Sequence, residues 1–199
     1  VDGRVAFLDG MNIRHGNMIK ENPSEPVQDI HFKVSGPAID QIATVFADDW
    51  CFAVGKSLEF SKWNASGDRG KVICRVLPDG PDEHYQKLEW TLIAAINCAE
   101  RHIRIITPYF IPDDSVVRAL QAASLRGVDV EIMVPEKTNF LVFNWAMASY
   151  FKELLTFGIK IYQSTPPFDH SKIFIIDDTW TLIGSANIAA LVCHVLFQY

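Results

Sequence analysis

The sequence predicts an α/β fold: a mixed sheet flanked by helices, in two pseudo-symmetric halves of which the first is incomplete. Three observations predict it. Apolar runs of strand length alternate with amphipathic segments of helical length. Of 199 residues, 49% are hydrophobic and 21% charged, enough apolar material for a sizeable core. A stretch opening the chain can also be laid, without a gap, on a stretch near its end.

Val5 to Leu8 is a short apolar run after the Asp2-Gly3 turn signal and suits a buried strand. Ile30 to Val34 alternates apolar with polar residues until Gly36-Pro37 breaks it. From Ala38, the spacing of Ile39, Ile42, Val45, Phe46 and Trp50 predicts an amphipathic helix stopping near Gly55. Residues 56–70 carry no period and are the candidate linker between a first-half remnant, 1–55, and a second half, 71–199. Beyond it, Val72 to Leu77 reads as a strand, His84 to Arg101 as a helix and Ile103 to Ile106 as a strand. Pro112-Asp113-Asp114 opens a helix to Arg126, with acids where the N-terminal dipole favours them, and Gly127 ends it.

Val128 to Val134 is the next strand, Phe140 to Phe157 the next helix and Ile159 to Tyr162 another strand. The helix is aromatic and apolar but lacks the basic face of an interfacial helix, so it is expected in the core. After Pro166-Pro167, Lys172 to Ile176 and Trp180 to Ile183 form a hairpin around Asp177-Asp178-Thr179. Strands separated by helices argue for βαβ units covered by helices on both faces of the sheet.

Composition excludes several classes. The formal charge is −6 and the isoelectric point about 5.5, which disfavours non-specific nucleic-acid binding, although local basic clefts stay open. Four cysteines, Cys51, Cys74, Cys98 and Cys193, form no CxxC pair, so neither a zinc knuckle nor a redox motif is signalled. No uninterrupted apolar run reaches membrane-spanning length and no signal peptide is evident. The opening Val1-Asp2-Gly3-Arg4 reads as the middle of a hairpin, so the chain is expected to be a piece of something longer.

The repeat lays residues 1–12 on residues 176–187, pairing Asp2 with Asp177 and Asn12 with Asn187 and matching the apolar run between them in length and parity. Its second copy follows His170-Ser171-Lys172 and ends in Gly184-Ser185-Ala186-Asn187. On a strand, i and i+2 share a face, so His170 and Lys172 point the same way. An imidazole beside an ammonium suits phosphoryl chemistry: one group attacks or moves a proton while the other neutralises phosphoryl oxygens. The returning strand brings Ser185 and Asn187 back as hydrogen-bond donors.

His170-x-Lys172-x4-Asp177 followed by Gly184-Ser185-x-Asn187 resembles the signature of the phospholipase D superfamily, which occurs once in each of two halves. Within it the chain is similar to the bacterial cardiolipin synthases, through Asp29 to Pro37, Val45 to Trp50, Thr107 to Asp113 and Pro166 to Lys172. The resemblance implies phosphatidyl transfer between two phosphatidylglycerol molecules, giving cardiolipin through a phosphohistidine, with no metal or other cofactor. It assigns His170 to general acid/base work, Lys172, Asn187 and Ser185 to the phosphate, Asn12 to the phosphate of the first half, and Tyr109 to a cleft-lining loop. Asp177 and Asp2 become structural members of their motifs.

The departures carry as much information. Counting back from Asp2, the first-half His and Lys precede residue 1, so the chain alone is expected to be inactive. Asp29 stands where a carboxylate binds that missing histidine and is expected to lack its partner. Gln198 stands where an acid orients the motif histidine, in a divergent tail from Ile188. The implied partners are a phospholipid substrate and a membrane surface, at the cell inner membrane through segments outside this chain, with no nucleic acid and with homodimerisation left open. The alternatives are a phospholipase D-type phosphodiesterase or nuclease, completed by dimerisation, and a non-catalytic remnant that binds phospholipid.

Overall fold

A computed structural model of the chain describes residues 1–8, 10–58, 70–79, 86–138 and 141–188. The body of the expected linker, His84, Phe140, Asp9 and the tail with Gln198 lie outside the described residues.

The chain begins with strands β1 (Val5–Leu8), β2 (Val27–Gln28) and β3 (Phe32–Ser35), then helix α1 (Ala38–Val54). Helix α2 (Lys87–Cys98) leads to β4 (His102–Ile106), α3 (Asp114–Leu125), β5 (Asp129–Pro135), α4 (Leu141–Thr156) and β6 (Lys160–Ser164). Strands β7 (Phe168–Asp169), β8 (Ile173–Ile176) and β9 (Trp180–Ile183) close the order. The main sheet is mixed, in the order β6-β5-β4-β8-β9, with β4, β5 and β6 parallel and β8 and β9 antiparallel to their neighbours. Two small sheets accompany it, β1 with β3 antiparallel and β2 with β7 parallel.

Alternation decides which sheet face is buried. Ile103, Ile105, Val130, Ile132, Val134 and Phe174 are nearly inaccessible and cluster with Ile96 of α2, Leu120 of α3 and Leu154 of α4. Each such side chain contributes about 1.5–3 kcal/mol by leaving water. Helices on both faces were expected, yet α2, α3 and α4 all join this one cluster. The reason is topological: β4, β5 and β6 are parallel neighbours stepping in one direction, so crossovers of one hand leave both helices on one side. The opposite face carries Arg104, Glu131 and Lys160, joined as cross-strand ion pairs at 3.4 and 3.6 Å.

Two further expectations also change. Val72 to Leu77 is not a strand: Val72 and Ile73 are exposed, and the Val76 N–H donates to the Gln41 side-chain oxygen at 2.9 Å rather than to a ladder. Its apolar run has neither a neighbouring strand nor a core face among the described residues, and a strand needs both. In α1 only Ala38, Ile39 and Ala43 are buried, while Phe46 and Trp50 stack on each other in solvent, ring centroids 6.3 Å apart.

The repeat has a backbone counterpart. Asp2 and Gly3 enter β1 with φ of 52° and 64°, and Asp177 and Asp178 enter β9 with φ of 52° and 57°. Such paired left-handed residues suit a tight hairpin turn, which short polar side chains and glycine tolerate best.

Candidate active site

The loop between β7 and β8 carries His170, Ser171 and Lys172, outside either strand but tied to the first half. The His170 N–H donates to the Gln28 carbonyl at 2.8 Å, extending the β2–β7 ladder by one bond. The Ser171 N–H donates to the Asp169 carboxylate at 2.8 Å. The i, i+2 expectation assumes a strand; the two residues lie in the loop instead, where their side chains nevertheless meet. Lys172 Nζ donates to the His170 carbonyl at 2.7 Å and lies 3.2 and 3.3 Å from His170 Nδ1 and Nε2. Near-equal distances to both nitrogens place the ammonium beside the ring rather than in line with either lone pair.

Asp29 is the correction that matters most here. It does not lack a partner: Asp29 Oδ2 is 3.0 Å from His170 Nδ1, with 1% of the Asp29 side chain and 16% of the His170 side chain exposed. A carboxylate 141 positions earlier in the chain therefore orients the imidazole, and with Nδ1 engaged Nε2 is the nitrogen left for a reacting group. Gly10 lies against Lys172; a Cβ built on it would stand 2.6 Å from Nζ and 3.1 Å from Cε. The sequence offered no signal for that contact, because glycine at this point reads only as motif punctuation.

Aromatic rings wall the other side. Tyr109 is 9% exposed and meets the His170 ring edge-on at 6.5 Å, and Phe168 stands 5.9 Å from the same ring. Phe143 of α4 packs on Tyr109 at 4.7 Å. Phe168 was legible as the i−2 neighbour of His170; Phe143, brought by a crossover helix, was not. Burial raises the Tyr109 phenol above its usual range, partly opposed by the nearby Arg14 charge, so it stays a neutral hydrogen-bonding group.

The remaining expected residues divide. Asn187 is half-buried, and its Oδ1 is enclosed without a hydrogen-bond partner among the described residues. The Ile111 N–H donates to the Ile188 carbonyl at 2.9 Å, tying the Asn187 segment to the Tyr109 loop. Asn12 and Ser185 are exposed. Asp177 stands apart, because five residues of extended chain, about 17 Å, separate it from Lys172. Its carboxylate accepts the backbone N–H groups of Glu100, Arg101 and His102 at 2.8, 2.8 and 2.9 Å, which hold its pKa at about 2. Asp177 fastens the β8–β9 turn to the start of β4, and Asp2 occupies the equivalent turn before β1.

A mixed sheet with a buried Lys-His-Asp array beside its strand ends, drawn from two parts of the chain, defines a phospholipase D-like domain. A family model described as "Cardiolipin synthase, PLD-like domain" matches residues 92–191, half of the chain, and the chain belongs to that family. It is 33% identical over its whole length to a cardiolipin synthase of Geobacillus sp. strain WCH70, covering 40% of that protein. Over 94% of its length it is 34% identical to cardiolipin synthase A of Pseudomonas fluorescens strain SBW25, covering 39% of it. The chain thus spans about 40% of the length of these relatives. Among solved structures, phosphatidylserine synthase of Haemophilus influenzae matches 94% of this chain and 52% of its own, with a TM-score of 0.61 at 13% identity, a likeness of fold.

Proposed function

We propose that this protein serves phosphatidyl transfer between two phosphatidylglycerol molecules, producing cardiolipin and glycerol. The observation that carries the reading is the Asp29-His170-Lys172 array, in which a buried ammonium lies beside an imidazole oriented by a carboxylate. In the proposed reaction a histidine from outside residues 1–199 attacks the phosphorus of the first lipid. The bond from phosphorus to the glycerol oxygen breaks, and His170 delivers its Nε2 proton to the departing alkoxide. The neutral imidazole then takes the proton from the acceptor's hydroxyl, whose oxygen attacks the phosphohistidine and breaks the P–N bond. Both histidines return to their starting states.

Lys172 neutralises the phosphoryl oxygens, and the Asn187 side-chain NH2 is the second donor assigned to the same phosphate. Ser185 and Asn12, both exposed, are the further hydrogen-bond donors assigned to the substrate phosphate. A substrate that resides in a bilayer sets the protein at a membrane surface; among the described residues no helix is long and apolar enough to cross one.

The test is conversion of labelled phosphatidylglycerol by the complete enzyme. Wild type is expected to release glycerol and form cardiolipin, and His170→Ala to do neither while melting at the wild-type temperature. The 199-residue chain by itself is expected to form no cardiolipin. Turnover in His170→Ala, or by the isolated chain, would contradict the assignment.

A further inference from the structure

Transfer from one phosphatidylglycerol to another brings two phosphodiesters to a single site, and only one of them reacts. The two anions repel each other, and Lys172 and His170 are engaged with the reacting phosphorus. The acceptor's own phosphate therefore needs a counter-charge of its own. The stretch of chain that follows Gly10 carries one.

That stretch starts in contact with the array: a Cβ on Gly10 would lie 2.6 Å from Lys172 Nζ and 3.5 Å from His170 Cε1. Four residues on, Arg14 has extended backbone and leads into the single turn His15–Asn17, which packs on β2. Gly16 in this turn is buried, and a Cβ there would lie 3.1 Å from Arg14 Nε, 2.6 Å from the Glu25 carbonyl oxygen and 3.3 Å from Val27 Cγ2. The absence of a side chain at position 16 thus lets the guanidinium fold back towards β2. Val27 of β2 pairs with Phe168 of β7, whose ring is 6.2 Å from that of Tyr109 and 5.9 Å from that of His170. The charge that acts on the Tyr109 phenol is in turn that of Arg14. Two routes, one through β2 and β7 and one through the phenol, bring the guanidinium to the aromatic wall that borders His170.

The partner Arg14 holds is a weak one. Its ion pair with Glu25 is 3.6 Å long, beyond a hydrogen bond, and 85% of the Glu25 side chain is exposed, with 39% of the Arg14 side chain. The two unesterified oxygens of a phosphodiester match the guanidinium fork, and such a charge-assisted pair is stronger than a long contact to a solvated carboxylate.

We infer that Arg14 binds the non-reacting phosphodiester of the acceptor lipid, and so holds that lipid's glycerol hydroxyl where His170 can take its proton. The inference rests on the transfer reading and adds the residue that favours an acceptor carrying a phosphate over a neutral alcohol.

Free glycerol, an acceptor without a phosphate, makes the test. Its hydroxyl oxygen attacks the phosphohistidine, the P–N bond breaks and the proton passes to His170, so labelled glycerol enters phosphatidylglycerol by the same chemistry that forms cardiolipin. In the complete enzyme, Arg14→Gln is expected to lower the ratio of cardiolipin formed to glycerol exchanged at least about tenfold, and Arg14→Lys, which keeps the charge but not the fork, by less. Glu25→Gln, which removes the ion pair and leaves the guanidinium, is expected to keep the wild-type ratio. A wild-type ratio in Arg14→Gln, whether from no loss or from equal loss of both reactions, would overturn the acceptor role; if Arg14→Gln does not fold, a wild-type ratio in Arg14→Lys does the same. A fall in Glu25→Gln matching that in Arg14→Gln would also overturn it, by showing that the ion pair and not the free fork matters. Absence of both reactions in the wild type would instead sink the transfer reading itself.

Discussion

Lys172 reaches the imidazole because position 10 has no side chain. A methyl there would stand 2.6 Å from Nζ and push the ammonium away from its place beside the ring. Misplacement of a charge by about 1 Å can cost about 100-fold in rate, so Gly10→Ala is expected to lower phosphatidylglycerol turnover by the complete enzyme about 10- to 100-fold with little change in melting temperature. Unchanged turnover would contradict the contact. Lys172→Ala, which removes the ammonium itself, is expected to lose about 3 kcal/mol of transition-state stabilisation in the same assay, the scale of a lost oxyanion donor. Asp177 makes a different prediction. Backbone N–H groups, that of Glu100 foremost, lower its pKa to about 2, so its contribution to stability is complete above the ordinary carboxylate range near pH 4 and is lost as pH falls through 2. Asp177→Asn should therefore melt below wild type at pH 7, with the difference closing between about pH 4 and pH 2 in thermal unfolding followed by circular dichroism. A difference that stays constant across that range would show that the carboxylate's charge is not what fastens the turn.

At the scale of elements, legibility followed the source of each element's stability. Strands β4, β5, β8 and β9 were readable because their alternation or continuous apolar run coincides with a real buried face, and Gly55, Gly127 and Gly158 marked helix ends by adopting positive φ. Val72 to Leu77 misled because periodicity reports what a segment offers and not whether a neighbour exists to pair with it. Ile73 is 100% exposed, so Ile73→Ser should change stability by less than about 0.5 kcal/mol in urea unfolding, whereas a core strand would lose several times that. Ile132 in β5 is 0% exposed, and Ile132→Ala should cost about 2–5 kcal/mol in the same experiment. Costs in the reverse order would return residues 72–77 to the core.

For the whole molecule, the site lies where the two parts of the chain meet, and that is what the sequence could not reveal. His170, Lys172 and the inward side of Tyr109 were legible from local spacing and resemblance. The link from Asp29 to His170 spans 141 positions, and the resemblance had implied pairing each acid with the histidine of its own half. Instead β2 pairs with β7, which brings Asp29 beside His170. The central claim is that the Asp29 carboxylate aims the His170 imidazole, leaving Nε2 for phosphorus chemistry. Two-bond 15N–1H correlation spectra of the 199-residue chain, with His170 assigned through His170→Ala, read this directly. Neutral His170 is predicted to carry its proton on Nδ1 and to lose that preference in Asp29→Ala; a proton on Nε2 in the wild type, indifferent to Asp29, would contradict the account.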